Sequence, residues 1–269
     1  MRGIDISKHN GKLDFAKLKK NGIGFVIIRA GYGGIVDPMF RQYISAAKKA
    51  GMLVGVYWFC YALNEKSAEK EAELCLDTIR ASGCKPELPI FYDLEYDSER
   101  YARDKGAAFT NQLRTDMILS FCRCVEAGGY TAGVYTNPDY WRYRLDNGRL
   151  RGLKLWIAAY LRNNCTAEFE AYGPERIPSE FRQAMIWQFG KCRLDGGNGY
   201  IDINYGYDLG AYVVKNAGYA IGDKYTLKGN DRYSNGWRVP KRLVGKSFTI
   251  SAVREGKILL AEIKSWVRV

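Results

Sequence analysis

The segment Pro89-Ile90-Phe91-Tyr92-Asp93-Leu94-Glu95-Tyr96-Asp97 reads as an apolar strand that runs into a pair of carboxylates. Side chains at i and i+2 of a strand share a side, roughly 6–7 Å apart. Asp93 and Glu95 are therefore expected to project together from the end of a buried strand. Such a pair suits chemistry in which one group is held protonated to donate to a leaving oxygen while its neighbour stays charged. The segment alone is equally compatible with solvated carboxylates where a strand meets a loop.

Working outward, short apolar runs rich in β-branched and aromatic residues recur at 3–7, 25–30, 53–59, 88–95, 132–136, 155–160, 185–189 and 201–205. Most are continuous rather than alternating, as strands buried on both faces are. Amphipathic segments separate the early runs: Asp14 opens one that Gly22 closes, and Asp37-Pro38 opens another that ends at Gly51. Ser67 is placed to cap a helix to Gly83, Thr110 one to Gly128, and Asn137-Pro138 starts a shorter one. Beyond Gly152 helices fade and strands follow closely. The expected fold class is α/β, a TIM-like barrel with a degenerate (β/α)5(β)3 pattern over residues 1–214. In such a barrel the strand C-terminal ends form the site, which gathers Asp5, Asp93, Glu95 and Asp202 among aromatic residues.

From 219 the pattern changes. Strands are expected at 225–227, 237–239, 247–253, 258–263 and 266–269, a small all-β domain of SH3-like size joined by a short connector at 215–218. Of the net charge of +12 in 269 residues, +7 falls in 219–269, where 11 Lys and Arg face four acids. That excess suits a polyanionic partner, and anionic wall polymers are the favoured one. A homo-oligomer contact through this domain is the other role considered. Nucleic acid is not expected, since no stacking-platform motif is present.

Cysteine stands at 60, 75, 84, 122, 124, 165 and 192, an odd count with no Cys-x-x-Cys, and the chain has one histidine, His9. Neither a metal site nor a cofactor is expected. Several of the cysteines sit inside apolar runs and read as buried thiols of a reducing compartment. Met1-Arg2 leads straight into the first strand, leaving no room for a signal peptide, and no apolar run is long enough to span a membrane.

The order of motifs resembles the family-25 glycoside hydrolases, lysozymes of the Chalaropsis type. The matching stretches are Gly3-Ile4-Asp5-Ile6-Ser7, Gly31-Tyr32-Gly33, Gly55-Val56-Tyr57-Trp58-Phe59, Asp93-Leu94-Glu95 and Gly133-Val134-Tyr135-Thr136-Asn137. Leu155-Trp156-Ile157-Ala158-Ala159-Tyr160, Trp187-Gln188-Phe189 and Ile201-Asp202-Ile203-Asn204 follow. The resemblance implies hydrolysis of the β-1,4 bond between N-acetylmuramic acid and N-acetylglucosamine in peptidoglycan. It implies Glu95 as general acid, Asp93 stabilising the reacting sugar or its acetamido group, and Asp5 and Asp202 setting the charge of the pair. Tyr32, Tyr57, Tyr135, Tyr160 and Trp187 are the expected substrate-binding aromatics. Trp58 stands where the family commonly has histidine, which is expected to bear on a binding subsite. With no leader and two domains, the chain looks like a bacteriophage endolysin made in the host bacterial cytoplasm, acting on the wall after release. A non-catalytic peptidoglycan-binding protein on the same barrel is the alternative, and the presence of all four acids argues against it.

Overall fold

A computed structural model describes residues 1–161, 165–212, 222–254 and 256–269. The expected connector at 215–218 lies outside the described residues. The chain divides into two compact units, Met1–Gly210 and Ala211–Val269.

The first unit is a closed barrel. Its strands are β1 (Arg2–Ile6), β2 (Phe25–Tyr32), β3 (Ile35–Val36), β4 (Leu53–Phe59), β5 (Ile90–Asp93), β6 (Ala132–Thr136), β7 (Lys154–Ala158), β8 (Ile186–Arg193) and β9 (Tyr200–Gly206). The sheet order is β1-β9-β8-β7-β6-β5-β4-β2-β3, and β1 also pairs with β2, so eight strands close a ring and β3 hangs on β2 as a hairpin arm. Pairings from β1 through β8 around the β2 side are parallel, while β9 runs antiparallel to both its neighbours. The last crossover is thus a tight return instead of a βα unit, which explains the scarcity of helix after Gly152.

The helices are α1 (Phe15–Lys20), α2 (Phe40–Lys49), α3 (Glu65–Ser82), α4 (Tyr96–Asp104) and α5 (Asn111–Ala127). Each buries a stripe at helical spacing; in α2 it is Phe40, Tyr43, Ile44 and Ala47. Asp14 and Thr110 cap α1 and α5 as expected, accepting from Lys17 N and Leu113 N. For α3 the cap is Asn64 and not Ser67, which serves as the third residue of a capping box. Two elements were not anticipated. The arm β3 is only a two-residue strand, and α4 begins immediately after Glu95. The acids Asp97 and Glu99 in its first turn carry the helix-start signal.

Alternation along the strands makes two cores. Outward residues such as Val26, Ile28, Val56, Tyr92 and Val134 pack against the helices in one large cluster. Inward, the barrel floor is filled by large side chains set against glycines. A Cβ on Gly3 would overlap the Phe25 ring, one on Gly133 would come 2.5 Å from Phe91, and one on Gly55 would come 2.5 Å from Ile27. Trp156 lies on this floor, with its ring centre 5.4 Å from that of Phe91.

The second unit is a four-stranded antiparallel sheet, β10 (Lys224–Thr226), β11 (Ser247–Arg254), β12 (Lys257–Leu260) and β13 (Ser265–Arg268), in that order. Eight buried residues, among them Tyr225, Phe248, Ile250 and Leu260, form its core. The strand expected at 237–239 is only an isolated bridge between Arg238 and Arg232. Among the described residues no helix is long and apolar enough to cross a membrane.

Candidate active site

At the mouth of the barrel, above the aromatic floor, lies a cavity of about 350 Å³. Asp5, Asp93, Glu95 and Asp202 all line it, together with Tyr57, Tyr135, Tyr160, Trp156, Gln188 and Arg29. The barrel explains the meeting of residues so distant in sequence. Asp5 of β1 stands directly across from Asp202 of β9 in register. Asp93 ends β5, where its carbonyl accepts from Cys60 N at 2.8 Å and so ties it to the end of β4.

Glu95 is not on the strand. It is the N-cap of α4, two residues past the end of the β5 ladder, and Leu94 between the acids is buried. Its backbone N–H donates to Ser98 Oγ at 3.2 Å. The helix it opens is held from below: Glu99 Oε1 accepts from Arg114 Nε at 2.6 Å and from the Tyr140 hydroxyl at 2.6 Å. The side of the barrel on which the two acids meet is therefore set by a strand end and a helix start.

Asp5 has the most elaborate support. Its Oδ2 accepts from Gln188 Nε2 at 2.9 Å and from Asn204 Nδ2 at 2.7 Å. Asn204 in turn accepts from Trp156 Nε1 at 2.8 Å, and Gln188 Oε1 accepts from the hydroxyls of Tyr135 (3.1 Å) and Tyr160 (2.8 Å). Each amide is oriented by the groups that donate to it, so both must present N–H to Asp5. Asp93 differs: its Oδ1 is buried and no described protein group donates to it. Arg29, the one cation among the lining residues, is paired with buried Asp37 at 2.8 Å.

Crowding acids in a dry site raises their affinity for protons. Burial lifts Glu95 to about 7, helped by the charges of Asp97 and Asp202. Asp202 is lifted to about 6, again chiefly by burial. Asp93 and Asp5 are also raised, first by burial; Glu95 and Asp5 add to the effect at Asp93, and Asp202 at Asp5. The cluster therefore holds protons to higher pH than free carboxyls do, Glu95 among them.

Not every expected residue is here. Tyr57, Tyr135 and Tyr160 line the cavity, and Trp156 floors it with its ring centre 4.5 Å from that of Tyr135. Trp187 does not line it: the side chain is fully buried, donates Nε1 to Ala159 O at 2.7 Å and packs against Phe189 and Tyr205. Its position on β8 puts it in the outer core, one residue from the inward Gln188. Tyr32 stands apart from the lining, with its hydroxyl accepting from Lys8 Nζ at 3.0 Å. Trp58 is likewise in the outer core, where Gly31 leaves room for its ring, so it serves packing and does not line the cavity. His9 is exposed on a short 3-10 turn.

The sequence reading left Gln188 and Asn204 without roles, although both lie in quoted motifs; alternation with the buried Trp187 and Ile203 carried the signal. It also passed over Glu71. This buried carboxylate of α3 accepts from Tyr61 N at 2.9 Å and from the Tyr92 hydroxyl at 2.7 Å, bracing the ends of β4 and β5 from behind. A charged residue within the apolar stripe of Ala68, Ala72, Cys75 and Ile79 was its mark.

Comparisons with known proteins fit this geometry. The chain is 29% identical over 161 residues to the autolytic lysozyme of Clostridium acetobutylicum, covering 60% of this chain and 45% of that protein. With the lysozyme of Streptococcus phage Cp-7 it shares 26% over 177 residues, covering 63% and 46%. The chain thus spans less than half the length of these two relatives. Among solved structures, the CTP1L endolysin aligns with a TM-score of 0.60 at 28% identity, over 79% of this chain and 68% of that one. Residues 4–196 match the family described as Glycosyl hydrolases family 25, and the chain belongs to that family.

Proposed function

We propose that the chain is a muramidase that cuts the β-1,4 bond between N-acetylmuramic acid and N-acetylglucosamine of peptidoglycan. The observation that carries the reading is the meeting of four carboxylates in one cavity, with Glu95 lifted to about 7. Glu95 serves as general acid: it keeps a proton near neutral pH and delivers it to the glycosidic oxygen as the bond breaks. Asp93 faces the charge that develops on the sugar. Its unpartnered Oδ1 is matched by an N–H donor, and the 2-acetamido group of the substrate has one. Accepting that bond turns the acetamido oxygen toward the anomeric carbon, where it acts as internal nucleophile.

Asp5 is held by two amides, and Asp202, with Asp97, adds to the effect of burial that lets Glu95 keep its proton. Tyr57, Tyr135 and Tyr160 contribute the aromatic walls against which sugar rings pack. Tyr32 contacts the glycan outside the main cavity, beside Lys8.

The small basic unit, which we read as an SH3-like module, holds the protein on the wall through anionic polymers. The phage lysozyme and the CTP1L endolysin among the chain's relatives support the reading of an endolysin acting on the cell wall, and synthesis in the host bacterial cytoplasm with action after release completes that reading.

Digestion of purified peptidoglycan, borohydride reduction and mass spectrometry test the assignment. Reduced muramic acid ends, absent with Glu95→Gln, are the expected result. Reduced glucosamine ends would make the chain a glucosaminidase. No new ends, with the protein still pelleting with walls, would leave only a binding role.

A further inference from the structure

The second unit has its own cavity, about 420 Å³ in volume, and its chemistry is opposite to that of the barrel. Lys228, Arg232 and Arg268 line it, and among the described lining residues the one acidic side chain is Asp231. That carboxylate is already engaged: its Oδ2 accepts from the Tyr225 hydroxyl at 2.9 Å and from Lys228 N at 2.7 Å. The two arginines are neighbours on paired backbone, with Arg268 N donating to Arg232 O at 2.9 Å. Like charges so placed repel. Among the described residues, no carboxylate forms an ion pair with Lys228, Arg232 or Arg268; the ion pair of this unit joins Lys224 to Glu262.

The arginines are also held in place. Arg232 Nη1 donates to Gly236 O at 3.1 Å, and Arg268 Nη2 donates to Ser234 O at 3.0 Å. One turn thus anchors both guanidiniums by a single nitrogen each and leaves their other N–H groups for a ligand. A guanidinium has five N–H donors in a planar fork that matches a tetrahedral oxyanion two at a time. Two oriented forks and a lysine around one hollow make a preorganised anion site. Trp237, 75% exposed, lies on the same turn, where Tyr233 N donates to its carbonyl at 2.8 Å.

We infer that this cavity binds the phosphodiester groups of an anionic wall polymer through Arg232, Arg268 and Lys228. The inference rests on the muramidase reading for the choice of a wall polymer, and it deepens that reading by naming the contact. A polymer is favoured over a lone anion because the basic excess extends over the whole of 219–269, beyond the three cavity cations.

The test is co-sedimentation of the full chain with purified cell walls, in a Glu95→Gln background so that turnover plays no part. Walls with their phosphate polymer intact are compared with the same walls stripped of it by acid. The inference expects stripping to weaken binding at least about tenfold, and Arg232→Gln/Arg268→Gln to bind intact walls as weakly as the parent binds stripped ones. Arg232→Lys/Arg268→Lys keeps the charge and the fold but loses the fork, and is expected to weaken binding about threefold or more. Arg242→Gln/Lys246→Gln removes the same charge away from the cavity and is expected to change binding about twofold or less. The inference is overturned if stripping has no effect, if the Arg242/Lys246 pair matters as much as the arginines, or if the lysine variant binds like the parent. Tighter binding to a DNA duplex than to purified polyol-phosphate polymer, read in the same variants, would reassign the site to nucleic acid. Because sedimentation reads binding alone, its outcome is independent of whether the barrel hydrolyses peptidoglycan.

Discussion

The two cavities of this chain crowd like charges in opposite ways. In the barrel, four acids share a largely buried mouth, and burial raises their affinity for protons. In the small unit, Lys228, Arg232 and Arg268 crowd around a more exposed hollow. Crowding in a dry place changes protonation and so makes acid–base chemistry available. Crowding of cations at a wet surface makes a basic hollow, which we infer to be an anion site. The kind of group together with its burial, not the count of charges, separates the two.

The sharpest way to break this contrast is to remove the proton on which the barrel depends. Glu95→Gln is expected to lower the rate of peptidoglycan cleavage by about 10²–10⁴-fold, measured by release of reducing ends, with little loss of wall binding. A variant that kept most of its activity would sink the acid assignment.

Stability should carry the same signature. Burial raises Glu95 from 4.5 to about 7, so the folded protein holds this proton more tightly than the unfolded chain does. The stabilisation is full below pH 4.5 and is lost as pH rises through 7, which amounts to about 3 kcal/mol for this group. Thermal melting from pH 4.5 to 8 should show stability falling as pH rises, with a shallower fall for Glu95→Gln. An equal slope in both proteins would mean that Glu95 ionises freely in the fold.

A smaller effect is expected from the amides around Asp5. Gln188→Ala removes one of its two donors and the shared acceptor of Tyr135 and Tyr160. A loss of about 1–3 kcal/mol of transition-state stabilisation, or roughly 5- to 150-fold in kcat/KM, should follow. An unchanged kcat/KM would show that Asn204 alone holds Asp5.

The least change is expected in the small unit. Arg232→Gln relieves repulsion with Arg268, so melting of the full chain should shift by no more than about 0.5 kcal/mol, toward higher stability, and equally at pH 5 and 8. A large loss would mean that the arginine supports the fold.

How much of this was legible beforehand follows the same physics. The eight barrel strands were readable because runs such as Phe25-Val26-Ile27-Ile28 are apolar on both faces, and Asp5, Asp93 and Asp202 follow from their places on or at the ends of such runs. Glu95 lines the cavity by a route the strand pattern did not show: the strand stops at Asp93, and the first-turn acids Asp97 and Glu99 belong to a helix the sequence analysis left unassigned. Trp187 was misplaced because a tryptophan looks equally at home on either side of a barrel strand, and a one-residue difference in facing decides it. The partners of Asp5 were illegible because amide–carboxylate bonds across 183 and 199 residues of chain leave no local pattern. In the small unit, the run at 237–239 has strand-like residues but forms only the Arg238–Arg232 bridge, its backbone folding back on 231–233 across a tight turn.

The most direct test of the account is the pH dependence of kcat/KM on a soluble peptidoglycan fragment, for the parent and for Glu95→Gln. The account predicts a rate that falls about tenfold per pH unit above 7 as Glu95 loses its proton, and a low rate without that limb in the variant. A parent rate that stays level from pH 6 to 9, or a variant that keeps the falling limb, would contradict it.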